Sequence, residues 1–451
     1  MYHPRMRLTH HVLSAVLVGN LVACISDPVT GGHKGSVLSM SAEQERELGR
    51  RLAPDVVNQF SSVVPNAHAN QVLGDLVASM VNLSPRRSEL EFEFVILNSS
   101  IPNAMALPGG HVYITRGLLE QLHSEAEFIG IMGHEFGHVD HRHAARVPWS
   151  SAILAVPAIP FRILYNWVPI GRRITGAATN VIAAPSQLVG LMFSRKQELE
   201  ADQRGLYFAA QMGYDPREFM QVFEVFERLE EAGGGGSDFT ILRTHPHNPD
   251  RVEAIDAALK NDYPDLDGQE FRGTSPEVAG VLAGFRDRAP AFALYDQANS
   301  LLSEDSDDAS HKQADGMLTD AIALVPDEPL FWILRGELAL EAADTVTSLD
   351  AFQRAYDAYE RGSPGEGHWK PSFYLGMLAL KAQDLSRAMA MLEESLVRNT
   401  AHAATHYLIG VIHEGIGERS RALEAYRRAI ELAPKGSEVR DAAEERVDEL
   451  D

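Results

Sequence analysis

The tightest constraint in this sequence is a pentapeptide, His134-Glu135-Phe136-Gly137-His138, set inside an otherwise apolar run. Phe128, Ile129, Ile131, Met132, Phe136 and Val139 recur at helical spacing, so residues 124–146 read as one helix. Ser124, with Glu127 three residues on, has the form of a capping box at its start. At about 3.6 residues per turn, His134 and His138 leave the helix from adjacent turns on one side and can share one Zn²⁺. Glu135, next to the first histidine, is placed to take a proton from a metal-bound water.

The third ligand decides the class of such a site. In one well-known layout a third histidine falls six residues after the second, and Ala144 stands there instead. In another a glutamate follows about twenty residues on, and none does. His141 and His143 lie close by, yet one helix does not readily wrap three ligands at that spacing around a tetrahedral ion. The first carboxylate after Asp140 is Glu198, on a helical stretch with Asp202 one turn later on the same face.

At 451 residues the chain is long enough for two or three domains, and 45% hydrophobic with 23% charged residues is a globular composition. A formal charge of −23 argues against a nucleic-acid partner, because phosphates would be repelled overall. Arg5 and Arg7 precede an apolar run from Val12 to Ala23, short for a membrane span and right for a signal-peptide core. It ends Leu21-Val22-Ala23-Cys24, and Cys24 is the single cysteine, so no internal disulfide can form. The ending resembles the lipobox of bacterial lipoproteins, in which the peptide is cut before the cysteine and the cysteine is acylated; the alternative is an ordinary signal peptide with an incidental cysteine. With Ile25 and Ser26 following rather than Asp, that resemblance implies the periplasmic face of the outer membrane.

Residues 24–40 read as a flexible tether, and a helical pattern begins at Ser41. Residues 90–97 and 111–115 read as short strands of a small sheet, whose edge could take an extended peptide or which is simply a structural hairpin. Residues 141–197 contain no Asp or Glu but carry Arg142, Arg146, Arg162, Arg172, Arg173, Arg195 and Lys196. That stretch reads as core helices over the metal site, or as an amphipathic flap on a membrane surface or client. Four glycines from Gly233 form a possible hinge before Thr244-His245-Pro246-His247. Beyond residue 290, Gly376 with Gly410, Ala388 with Ala422 and Leu392 with Tyr426 recur at 34 residues, and Pro434 closes the unit. The period resembles tetratricopeptide repeats and implies about four helix pairs in a short solenoid.

His134-Glu-Phe-Gly-His138 followed by Ser194-Arg-Lys-Gln-Glu198-Leu-Glu-Ala-Asp202 resembles the gluzincin metallopeptidases of the HtpX, BepA and CAAX prenyl protease family. The segment from Asn103 through Pro108-Gly-Gly to Gly117 is similar to that family's edge-strand motif. With the lipobox and the repeats, the likeness is nearest to BepA-like periplasmic proteases. It implies one Zn²⁺ on His134, His138 and Glu198, with Glu200 as a rival ligand, Glu135 as general base and Asp202 accepting from a ligand histidine. It also implies that His245 either occupies the fourth zinc position and holds the enzyme latent or donates to the oxyanion, with His247 an alternative. The expected fold is mainly α: a signal peptide (1–23), the tether, an α+β zinc peptidase domain of helices plus a small sheet (41–275), a linker (276–290) and an all-α repeat domain (291–451). The expected function is cleavage of unfolded or misassembled envelope proteins, with the repeats recruiting clients or an outer-membrane assembly complex. The competing expectation is a chaperone or scaffold with a latent or structural zinc.

Overall fold

The computed structural model describes residues 40–146, 193–232, 245, 249–302, 306–362 and 367–451. The expected signal peptide, Cys24, nearly all of the tether, residues 147–192 of the basic run and His247 lie outside the described residues.

The first helix, α1 (Ala42–Gln59), starts at a reciprocal capping box between Ser41 and Gln44, and α2 (Ala67–Leu83) starts on an Asn66 cap. Three strands follow: β1 (Glu93–Leu97), β2 (Ala104–Ala106) and β3 (His111–Thr115). Their order is β1-β3-β2, with Val95 opposite Tyr113 in the parallel pair and Met105 opposite Tyr113 in the antiparallel one. Only β1 and β3 are legible in the sequence, since three residues are too few to show alternation. Gly109 and Gly110 take φ of +92° and +101° in the turn that folds β2 back onto β3, a region that favours glycine.

After the short α3 (Arg116–Leu119) comes α4 (Glu125–Asp140), on the expected Ser124–Glu127 capping box. All of its residues are buried, which makes it the central rod of the domain. Around it stand α2, the sheet, α5 (Arg195–Gln211), α6 (Gln221–Ala232) and α7 (Pro249–Asp262). Phe128, Met132 and Phe136 of α4 share one core with Leu73, Ile96, Ile114 and Phe208. The fully buried Arg86 ties α1 to the end of α4, reaching Glu45 through two nitrogens at 2.9 and 3.1 Å and the Val139 carbonyl at 2.9 Å.

The expected linker is a helix. Residues 276–290 form the first part of α8 (Pro276–Ser300), which continues without a break. Ser275 caps it, and Pro276 sits in the first turn, where no N–H is needed. Its first half joins the peptidase core through Val278, Val281, Leu282 and Phe285, and its second half joins the repeat core through Ala291, Phe292, Tyr295 and Ala298.

The repeats run through α9 (Asp308–Leu324), α10 (Pro329–Glu341), α11 (Thr345–Gly362), α12 (Trp369–Lys381), α13 (Leu385–Arg398), α14 (Ala403–Gly415) and α15 (Arg419–Leu432), closed by α16 (Glu438–Leu450). They pack as successive pairs, α8 with α9 through α14 with α15, in agreement with the period. A Cβ at Gly410 would lie 2.6 Å from the Tyr426 ring, so the small residue and the aromatic recur together because they touch. Between the domains, Asn98 donates to Glu328 at 2.9 Å, Arg288 reaches the same carboxylate at 3.1 Å, and the Ser62 and Tyr359 hydroxyls meet at 2.8 Å. Among the described residues, no helix is long and apolar enough to cross a membrane.

Candidate metal centre

The site is built where α4 crosses α5. On α4, Gly133 and Gly137 face α5; a Cβ at Gly137 would stand 2.6 Å from the Ala201 Cα and 2.8 Å from its carbonyl oxygen. A Cβ at Gly133 would stand 3.0 Å from the Gly205 Cα. The two helices therefore approach closely here, with no room for a side chain between their backbones. That proximity lets Glu198 and Asp202, one turn apart on α5, reach His134 and His138, one turn apart on α4.

Donor atoms converge there. The Nε2 atoms of His134 and His138 lie 3.0 Å apart, and each is 3.5 Å from a Glu198 carboxylate oxygen. The Nδ1 of His245 completes the group, 3.1 Å from His134 Nε2 and 3.2 Å from Glu198. These four residues are buried and form a set able to hold a metal ion. Glu200, the rival ligand, is not in this set.

The chemistry of the donors fits Zn²⁺. His134 donates its Nδ1 proton to Asp202 at 2.8 Å, so its Nε2 carries a lone pair. That lone pair faces other donor atoms at spacings of about 3 Å, close to the edge of a tetrahedron with metal bonds of about 2.0–2.1 Å. Burial, followed by the repulsion that a protonated ring would meet from the crowded imidazoles and the Arg251 guanidinium, pushes His138 well below the ordinary histidine value, which keeps it in the neutral form a metal takes.

Arg251 is the functional residue whose role the sequence did not disclose. Its guanidinium grips Asp202 through two nitrogens, at 2.7 and 2.8 Å, and reaches Glu198 at 3.1 Å. Burial raises the pKa of Asp202 and Glu198, but Arg251 with His134 on Asp202, and His245 with His134 and Arg251 on Glu198, outweigh it and hold both below the usual carboxylate range. Phe193 was missed as well; its ring stacks on His138 with centroids 4.0 Å apart. Glu135 is buried beside the ligands, and the Nε2 of His245 lies 3.5 Å from its carboxylate. Burial disfavours a charged His245, yet Glu198 and Glu135 on its two sides raise its pKa above the ordinary value.

If the glycine contact sets the ligand geometry, Gly137→Ala should force α4 and α5 apart. The expected result is a loss of stability of about 1–3 kcal/mol from overpacking, and a zinc affinity at least about ten-fold weaker by chelator competition. Gly280→Ala, on α8 with nothing near its Cβ, is the control and should bind zinc as before. Unchanged zinc affinity in Gly137→Ala would show that the crossing distance does not govern the site.

Comparison with known proteins agrees with this geometry. Residues 67–259 match peptidase family M48, and residues 374–437 match a tetratricopeptide repeat family. The mitochondrial metalloendopeptidase OMA1 of Arabidopsis thaliana is 33% identical over 37% of this chain and 31% of its own. The OMA1 of Schizosaccharomyces pombe is 24% identical over 49% of this chain and 62% of its own. The beta-barrel assembly-enhancing protease of Escherichia coli is 25% identical over 54% of this chain and 50% of its own. The chain thus spans between 31% and 62% of the length of these relatives. The matched segment contains both ligand helices and Arg251, and the chain carries a domain of peptidase family M48 followed by tetratricopeptide repeats.

Proposed function

We propose that this chain is a zinc-dependent endopeptidase of the bacterial cell envelope that degrades unfolded or misassembled envelope proteins. The observation that carries the reading is the convergence of His134, His138 and Glu198 on one point with Glu135 beside it. His134 and His138 would hold the ion through Nε2, and Glu198 through its carboxylate. Zn²⁺ held there supplies Lewis acidity that polarises a peptide carbonyl and acidifies a water. Glu135 takes the proton of the attacking water and passes it to the leaving amine. Asp202 keeps the His134 proton on Nδ1, and Arg251 keeps Asp202 in place. The edge strand β2, which packs against α4, offers backbone groups to an extended substrate.

His245 regulates this centre in the same reading. Its Nδ1 stands among the ligand atoms and its Nε2 faces Glu135, so it fills the space a water and a carbonyl would need. The same observation favours a second reading, in which the chain is mainly a chaperone or scaffold for outer-membrane protein assembly and the zinc site stays latent. The envelope assignment is supported by the lipobox-like Leu21-Val-Ala-Cys24 and by the name of the Escherichia coli relative. The repeats would then recruit clients or an assembly complex.

Glu135→Gln separates the two readings. It should retain one zinc per chain while cleavage of unfolded envelope proteins falls by about 10²–10⁴-fold. Undiminished cleavage at full zinc occupancy would defeat the protease reading. His245→Ala should raise peptide cleavage; a loss instead assigns His245 to the oxyanion and removes the latch. For the anchor, Cys24→Ser should move the protein from the membrane pellet to the soluble fraction, and unchanged pelleting would refute lipid attachment at that residue.

A further inference from the structure

The two histidine ligands are not supported alike. His134 hands its Nδ1 proton directly to a carboxylate, Asp202. Among the described residues the Nδ1 of His138 meets no carboxylate; it lies 2.8 Å from the Nδ1 of another imidazole, that of the fully buried His143. On the far side of that ring, His143 Nε2 lies 3.1 Å from a carboxylate oxygen of Glu200.

The end of α4 dictates this arrangement. His143 N–H bonds to the His138 carbonyl at 2.9 Å and Arg142 N–H to the Val139 carbonyl at 3.0 Å, the pattern of a Schellman ending. Arg142, at the left-handed position with φ of +58°, occupies the place a glycine usually takes. Its guanidinium holds the turn by reaching Glu45 at 2.5 Å. A Schellman ending brings the residue after the left-handed one against the residue five before it. Those residues here are His143 and His138, so the usual apolar contact is replaced by a hydrogen bond between two imidazoles.

Only one proton arrangement satisfies every atom. With His138 Nε2 given to the ion, its Nδ1 carries the proton and donates. His143 Nδ1 must then be the lone pair that accepts, which leaves the His143 proton on Nε2, donating to Glu200. From this we propose that His143 and Glu200 are positioning residues for the metal centre: a carboxylate–imidazole chain that fixes the tautomer and ring orientation of His138, as Asp202 does for His134. The inference rests on the zinc-site reading above.

The same chain speaks against a second ion at His141, His143 and Glu200, which also lie close enough together to suggest one. An ion on His143 Nε2 would move that ring's proton to Nδ1, pointing it at the Nδ1 proton of His138 across 2.8 Å.

Zinc affinity measured by chelator competition, alongside the melting temperature of the zinc-free protein, tests the proposal. His143→Phe fills the ring's volume without an acceptor and should weaken zinc binding by about 10–100-fold. Glu200→Ala should weaken it about ten-fold, whereas Glu200→Gln, which keeps an acceptor oxygen, should restore most of the affinity. The zinc-free melting temperatures of both Glu200 variants should match the parent, because that side chain is partly exposed and its loss opens no cavity. Parental affinity in His143→Phe and Glu200→Ala would overturn the proposal, as would affinity losses that only track falling melting temperatures. Two zinc ions in the parent and one in His143→Phe would make His143 a ligand rather than a positioning residue. Absence of zinc binding by the parent itself would instead remove the zinc-site reading.

Discussion

The backbone contact between α4 and α5 at Gly137 and Ala201 is the constraint on which the rest of the peptidase domain depends. The donor residues sit on two helices, and here the Cβ that would keep those helices apart is missing. The far side of the crossing is then sealed by bulk. A Cβ at Gly205 would collide with the Phe219 ring at 2.3 Å, and one at Gly130 with Val222 at 2.6 Å. The glycines of the metal helix thus have two jobs: Gly133 and Gly137 bring in the ligand helix, and Gly130 admits the residues that lock it there.

Closeness creates an electrostatic demand. Glu135, Glu198 and Asp202 are buried around one point, and Arg251 is the one guanidinium that the described contacts bring to the ligand carboxylates. With the histidines neutral, as metal ligands must be, three carboxylates stand against one cation, a surplus that a divalent ion cancels. Without such compensation, each buried charge would cost several kcal/mol. Arg251 also explains how the His-Pro segment is tied to the metal centre. It starts six residues after His245, touches that residue's carbonyl at 3.5 Å, and spends its stronger contacts on Asp202. The segment that carries the fourth donor is therefore held through the same carboxylate that orients the first.

What the sequence disclosed was whatever is carried by local period. His134, Glu135 and His138 share one helix, Glu198 and Asp202 another, and 34-residue spacing sets the repeats; each is a statement about neighbours in the chain. The partnership of the two helices was written in small residues four apart, Gly133 with Gly137 and Ala201 with Gly205, but such pairs do not say which helices they join. His143 looked like a surplus histidine, because its role depends on how α4 ends, and a left-handed Arg142 has no sequence signal comparable to glycine. Arg251 stands six residues after His245, but nothing local points to its partner Asp202, 49 positions back in the chain. Residues 276–290 read as a linker, whereas Pro276 stands where a helix accepts proline and the helix runs on through them.

That last difference changes what the repeats can contribute. On a loose linker, anything bound by the repeats would meet the metal centre at an effective concentration set by linker length. Helix α8 instead belongs to both cores, so the first repeat pair begins inside the peptidase fold. The seam is polar as well as apolar. Glu328 is buried, its pKa raised by that burial despite the nearby Arg288, and its partner across the seam is the Asn98 amide. Asn98 in turn accepts from Arg116, whose guanidinium lies 3.4 Å over the Phe292 ring of α8. Separating the domains would break the Asn98–Glu328 and Arg116–Phe292 contacts together. Any segment held by the repeats would accordingly stand at a fixed distance and direction from His134 and His138.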